Sequence, residues 1–352
     1  MVPGGRKAHG ADRIAKPVRE GPPSLPYACP VTPAELSRTV LHAVCRAVQD
    51  GVLHAPVPES VSVERPRPGG RGDYATNVAL RLAGPARQQP RAIAEELRRR
   101  IAHSPGIARV EITGPGFLNF TLDAGVQQAL VRQVLERGLT YGHGDSAASL
   151  SVRFRPAVEL RARVWAEVVI QLLRTQGADV AHGDPEALHV VPAPAQDLVE
   201  RLGPDAARWA LLSVAAHDRP PAGPDLLLQH ERNPLFRVRY AHSRTRALTR
   251  NAEELGFAGD PQQHVDAPAL TTAIGDHPTV LASAARLRAP DRLARHLEST
   301  ADALLAFQPY VLPFGDEKPM AAHRSRLALA EAAGTVLAGG LSLLGISAPD
   351  YL

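Results

Sequence analysis

The sequence predicts a fold in three parts: an α+β N-terminal domain, a short α/β segment, and a C-terminal all-α helix bundle. Three observations carry this. Over residues 31–123 helical and strand periods alternate, with glycine- and proline-bearing turns between them. Residues 124–195 leave room for one β-α-β unit, which needs roughly 30 or more residues, and none for a doubly wound nucleotide-binding domain. From Gln196 to 352 the chain is alanine-rich and helical in period, with breaks near 220–224 and 257–268, so a bundle of five or more helices is expected.

The elements follow in order. Residues 1–30 read as a disordered basic arm, rich in Pro and Gly and carrying Arg6, Lys7, Arg13, Lys16 and Arg19. Thr32-Pro33 is an N-cap followed by proline at the first helical position, and Leu36, Val40, Ala43, Val44 and Ala47 recur at helical spacing until Gly51. Val61-Ser62-Val63 alternates like a strand. The loop through Gly69, Gly70 and Gly72 leads to a helix over 75–83, and a charged helix covers 90–103. Strands over 108–113 and 117–122 flank the turn Gly114-Pro115-Gly116. A helix over 126–137, a strand over 150–154, a helix over 158–174 and a strand over 188–191 make up the middle segment. The stretch 327–346 has the length of a membrane span. Glu331, Gly334, Gly339 and Gly340 argue instead for a bundle helix, with Leu327, Leu337, Leu341 and Leu344 as its core stripe.

Composition excludes several chemistries. Lys and Arg total 40, yet only Lys7, Lys16 and Lys318 are lysines, so 37 are arginines. No lysine lies between 17 and 317, which removes a G-x-x-x-x-G-K-[ST] phosphate loop from the body of the chain. Cys29 and Cys45 have no metal-ligand spacing and point to a reducing compartment. With no apolar leader, a cytoplasmic location is expected, with neither metal nor cofactor.

One segment stands out chemically. Residues 231–250 hold six arginines and one acid. On a helix, Val238, Ala241, Thr245, Leu248 and Ala252 share one face, Arg239, Arg246 and Arg250 the opposite face, and Tyr240 and Arg244 a flank. A basic stripe beside an aromatic is one way to hold a phosphate backbone and stack a base. A solvated helix face in an arginine-rich chain is the plain alternative.

The same residues carry a resemblance. Asn233-Pro234-Leu235-Phe236-Arg237-Val238-Arg239-Tyr240-Ala241-His242-Ser243-Arg244, with Gly203-Pro204-Asp205-Ala206-Ala207-Arg208-Trp209 upstream, resembles the DALR anticodon-binding domain of arginyl-tRNA synthetases. Leu344-Gly345-Ile346-Ser347-Ala348-Pro349 is similar to the end of that domain, although Asp350-Tyr351-Leu352 replaces the family's Glu-Arg-Met. Val63-Glu64-Arg65-Pro66, Gly72-Asp73-Tyr74-Ala75-Thr76-Asn77 and Gly114-Pro115-Gly116-Phe117-Leu118-Asn119 resemble the family's additional N-terminal domain. The resemblance implies tRNA as partner, with an arginine tRNA as the specific candidate. Phe117 and Asn119 would meet the D-loop side, with Arg65, Arg67 and Arg71 on nearby phosphates. Tyr240 would sit near the anticodon loop, with Arg239, Arg244, Arg246 and Arg250 neutralising phosphates.

Between its two ends the family has a catalytic core with an H-x-G-H signature and a lysine-bearing loop. Here 124–195 resembles a shrunken remnant. Where the first signature would lie the chain reads Arg155-Pro156-Ala157-Val158-Glu159-Leu160-Arg161, and where the lysine loop would lie, Val190-Val191-Pro192-Ala193-Pro194. The glycines and cations that meet transferring phosphates are missing, so binding without aminoacylation is expected. A protein-interaction module acting on the full synthetase or another partner is the second reading, and a residual arginine- and ATP-dependent ligase the third.

Overall fold

The computed structural model describes residues 33–64, 66, 71–123, 125–182 and 185–352. The basic arm, the Thr32 cap, Arg65, Arg67, Gly69 and Gly70 lie outside the described residues. The N-terminal part is α1 (Pro33–Gln49), β1 (Tyr74–Thr76), α2 (Val78–Ala86), α3 (Pro90–Ile101), β2 (Ile107–Thr113) and β3 (Phe117–Leu122). The strands form an antiparallel sheet in the order β1-β3-β2, with Val110 opposite Phe120 and Ile112 opposite Leu118. Alternation along β3 sends Leu118 and Phe120 into a core with Leu36, Val40, Ile93 and Leu97 from the helices.

Two expectations fail here. Residues 61–63 form no strand, only a single bridge from Glu64 to Ala75, and the Thr76 hydroxyl donates to the Ser62 carbonyl at 2.7 Å. The helix expected over 75–83 begins at Val78, because Tyr74–Thr76 pairs with β3 as β1. The second misreading has a clear cause: the partner of β1 is more than 40 residues away and no local period announces it.

The middle segment is α4 (Val126–Arg137), β4 (Arg153–Phe154), α5 (Leu160–Thr175) and β5 (Pro185–Glu186). β4 and β5 pair in parallel on either side of α5, a single β-α-β unit. The second strand falls at Pro185–Glu186, not over the expected 188–191. This segment has no core of its own. Leu130, Val134, Trp165, Val169 and Leu172 join one continuous core with the C-terminal helices.

Those helices are α6 (Leu198–Leu212, kinked at Gly203), α7 (Pro234–Glu254), α8 (Pro268–Leu287), α9 (Pro290–Phe307) and α10 (Ala321–Leu344). By length and composition α10 passes for a membrane helix, but 72% of its apolar window is buried inside the fold. Leu327, Leu337, Leu341 and Leu344 are fully buried, as a bundle helix requires. The helix α1 packs on α8, joining the N-terminal domain to the bundle.

Candidate nucleic-acid interface

Helix α7 starts at a built cap. Asn233 accepts from the Phe236 amide (3.4 Å) and donates its own amide to the Leu226 and Leu228 carbonyls (2.8 and 2.9 Å), tying the helix to the loop before it. Pro234 takes the first helical position. Val238, Ala241, Thr245, Leu248 and Ala252 are all buried, as their spacing predicts. Phe236 and Tyr240 stack one turn apart, ring centres 5.5 Å and planes 14° apart, leaving Tyr240 half-buried.

The arginines are less free than their spacing implies. Arg239, expected on an open face, is half-buried and lies 3.0 Å from the Ser347 hydroxyl and 3.6 Å from the Asp205 carboxylate. Arg246 is exposed, but its Nε donates to Asp350 at 3.0 Å. Arg250, half-buried, lies 4.2 Å above the Tyr351 ring. Arg244 donates to Gln308 at 3.1 Å, and Arg237 pairs with Asp302 (3.0 Å) and Glu298 (3.5 Å). A helical wheel gives the direction of each side chain. It cannot show that residues 34 to 104 positions away supply acids along the same face.

The segment 345–352 is held there by the string Asp205-Ala206-Ala207-Arg208 of α6. Asp205 accepts from the Ser347 amide (3.2 Å) and the Ser347 hydroxyl. Arg208 donates to the Leu344 carbonyl (3.0 Å) at the negative end of α10 and pairs with Glu167 at 3.1 Å. Gly345 makes this approach possible: its φ is +69°, and a Cβ there would lie 2.7 Å from the Arg208 guanidinium. Further along, His242 Nδ1 donates to the Pro349 carbonyl (3.0 Å) and Ser243 to the Asp350 carbonyl (3.3 Å). Burial pushes His242 below the ordinary histidine value, so the ring is neutral at pH 7. Behind α7 a cleft of about 640 Å³ opens between α4, α7 and α10. The half-buried Glu331 in its lining is bonded by the Thr249 hydroxyl at 3.0 Å, and Arg246 and Asp350 stand at the same lining.

Of three exposed aromatics, sequence reasoning missed two, Tyr310 and Phe314. Tyr310 is 65% exposed, Phe314 91% and Tyr351 73%, and Tyr310 follows two residues after Gln308, the partner of Arg244. The available signal was scarcity: in a chain with 4% aromatics, Phe314 in a Pro-Phe-Gly-Asp turn has no core period to explain it.

At the N-terminal end the structure separates two residues expected to act together. Phe117 is 40% exposed beside Arg91, which donates to the Gly114 carbonyl at 3.4 Å. Asn119 is only 5% exposed, and its amide is bonded to the Thr113 hydroxyl at 2.7 Å. It sits in the central strand between Ala75 and Glu111, so it shapes the turn instead of reaching outward. Arg71 is exposed.

Between β4 and α5, where the resemblance puts the catalytic turn, the chain has built a brace. Glu159 caps α5, accepting from Ala162 (2.8 Å) and Ala193 (2.7 Å). Burial opposes its charge, but the amides of Ala193, Ala162 and Arg161 and the Arg161 charge outweigh that and hold the carboxyl below its usual value. Arg161 is fully buried, and its guanidinium donates to the carbonyls of Leu211 (2.9 Å), Val191 (2.9 Å), Val214 (3.1 Å), Ala215 (2.9 Å) and Asp218 (2.7 Å).

Comparison with known proteins agrees with this arrangement. Residues 35–122 match the arginyl tRNA synthetase N-terminal domain, and residues 238–352 the DALR anticodon-binding domain. The chain is 27% identical to an arginine–tRNA ligase of Frankia alni over 553 aligned residues, covering 92% of this chain and 100% of that protein. An arginine–tRNA ligase of Paenarthrobacter aurescens is 24% identical, with the same shares covered. At 352 residues the chain has about 64% of the length of these relatives. Among solved structures, arginyl-tRNA synthetase of Thermus thermophilus has the same fold with a TM-score of 0.66 at 14% identity, covering 90% of this chain and 100% of that one. That of Plasmodium falciparum gives 0.63 at 9%, covering 92% and 100%.

A synthetase-type N-terminal domain joined to a DALR-type helix bundle defines a protein related to the tRNA synthetases. Within that class, the chain is an arginyl-tRNA synthetase-related protein.

Proposed function

We propose that this protein binds tRNA without aminoacylating it, meeting the D-loop side with its N-terminal domain and the anticodon arm with its bundle. The brace of Glu159 and Arg161 carries the reading. Adenylate formation develops negative charge on transferring phosphoryl groups and needs fixed cations and amides aimed at them. In this turn Arg161 is fully buried and committed to backbone carbonyls, and Glu159 is committed to backbone amides, which leaves Arg155 as the turn's exposed cation. No lysine lies between 17 and 317 to take its place.

On the bundle, Tyr240, Tyr310 and Phe314 offer faces for stacking, with Arg244, Arg246 and Arg250 as counter-charges. On the N-terminal domain, Phe117 offers an exposed ring, and Arg71 and Arg91 offer charge. The kinship with arginine–tRNA ligases favours an arginine tRNA as the ligand. Two measurements test the reading together. A gel-shift titration of an arginine-tRNA transcript at low salt should show binding, and arginine-dependent ATP–pyrophosphate exchange should be absent. No shift at any protein concentration sinks the binding half, and exchange above background sinks the noncatalytic half.

A further inference from the structure

We infer that the segment following α10 competes internally with RNA at α7, with Asp350 and Tyr351 occupying Arg246 and Arg250 until RNA displaces them. This rests on the tRNA-binding reading and adds to it a regulation of the same surface.

The contacts of the segment divide into an anchor and an exchangeable part. The anchor is backbone-directed: Ser347 is held by Asp205 through its amide and its hydroxyl, and the Pro349 carbonyl by the buried His242. The Asp350 carbonyl is held as well, by the Ser243 hydroxyl at 3.3 Å, but from the Asp350 side chain onward the character changes. The Arg246–Asp350 pair is half exposed on both sides, 50% and 52%, and Tyr351 is 73% exposed over Arg250. An exposed ion pair of this kind is worth little in water, so a ligand can exchange it. The anchor nevertheless delivers the Asp350 carboxylate at a high effective concentration, so a single dilute anion competes poorly.

A phosphodiester presents the same chemistry as Asp350, an anionic oxygen pair that a guanidinium grips in a fork, and a tRNA presents many in a row. Once the acid and the ring swing away, Arg246 and Arg250 are one helical turn apart on one face, free for successive phosphates. The arrangement makes α7 close to self-neutral at rest: Arg239 faces Asp205, Arg246 faces Asp350, and Arg237 faces Asp302 and Glu298. Such a helix discriminates against scattered anions and favours a polyanion able to replace several partners at once.

The test is tRNA binding by fluorescence anisotropy across a salt series, using the full chain and a labelled arginine-tRNA transcript. Asp350→Asn should bind about two- to fivefold more tightly at low salt, with a nearly unchanged log–log salt slope, because displacement of the segment gives the wild type the same phosphate contacts. Adding Arg246→Gln should remove that gain. Tyr240→Ala, outside the segment, serves as the control for the surface. If Asp350→Asn binds no tighter than wild type while Tyr240→Ala weakens binding, the competition is overturned and the RNA surface stands. If neither wild type nor Asp350→Asn binds the transcript, both fall. Asp350 is half exposed, and matching thermal unfolding of the two proteins verifies that only the surface has changed.

Discussion

Burying a guanidinium is costly unless its N–H groups find acceptors, and Arg161 finds six carbonyls on the segments around 191 and 211–218. Its plane also lies 5.0 Å from the Trp165 ring centre, so the stem and head pack as well as bond. All but the Val191 carbonyl come from the end of α6 and the loop after it, where backbone amides also reach Ala215 and Ala216. Replacing Arg161 with Met keeps the volume and orphans acceptors, so stability should fall by about 3–5 kcal/mol. Arg161→Lys, with three donors in place of five, should recover part of that. Urea unfolding measures both, and a Met variant as stable as wild type would remove the brace from the account. None of this was legible beforehand. The sequence shows that the family's glycines and histidines are missing at 155–161, but not that Glu159 and Arg161 have become structural. The acceptors of Arg161 lie 30 to 57 positions away.

At the scale of elements, helices were legible and short strands were not, for a physical reason. A helix such as α4, read over 126–137 and found at Val126–Arg137, declares its period and its caps within its own sequence. The strands β1 and β5, three and two residues long, exist only because a remote partner pairs with them. Packing between elements was hidden too, and the α8–α9 contact shows what that conceals. His277 and His296 stack 5.3 Å apart, with Tyr141 5.9 Å from His277 on the other side. Both histidines are buried, and His277 Nδ1 and His296 Nε2 have no partner. Burial pushes His277 well below the ordinary histidine value and His296 down to about 4. Between those values and 6.5 the unfolded chain binds more protons. The stability from keeping the rings neutral is therefore complete above about pH 6.5 and is lost as pH falls toward 4. Burial pushes the neighbouring Asp276 up to about 6, which acts in the opposite direction and offsets one histidine between roughly pH 4 and 6. The net expectation is one proton, or about 1.4 kcal/mol lost per pH unit through that window. His277→Phe keeps the stack without the titration, so its stability–pH slope should be shallower by about that amount. Equal slopes in urea titrations at pH 7, 6 and 5 would rule the histidine pair out as the cause.

At the scale of the whole molecule, the question is whether one tRNA meets both ends. In the relatives a longer chain separates the N-terminal domain from the bundle, whereas here α1 packs directly on α8 and the middle segment shares the bundle's core. The two candidate surfaces are thus fixed relative to each other, and a ligand spanning both would gain from tethering without any new contact. The salt dependence separates the cases, because each phosphate contact contributes about 0.7–0.9 to the log–log slope while base stacking contributes none. Phe117→Ala and Tyr240→Ala each remove a stacking face, worth about 1–3 kcal/mol if a base rests on it. With both ends engaged, each substitution weakens tRNA binding and leaves the slope nearly unchanged. Arg244→Gln on the bundle and Arg71→Gln on the N-terminal domain each reduce the slope by about one contact. With only the bundle engaged, Phe117→Ala and Arg71→Gln are silent, and an isolated anticodon stem–loop binds as tightly as the full tRNA. That equality would show that shortening the chain kept the anticodon surface and lost the reach to the other end.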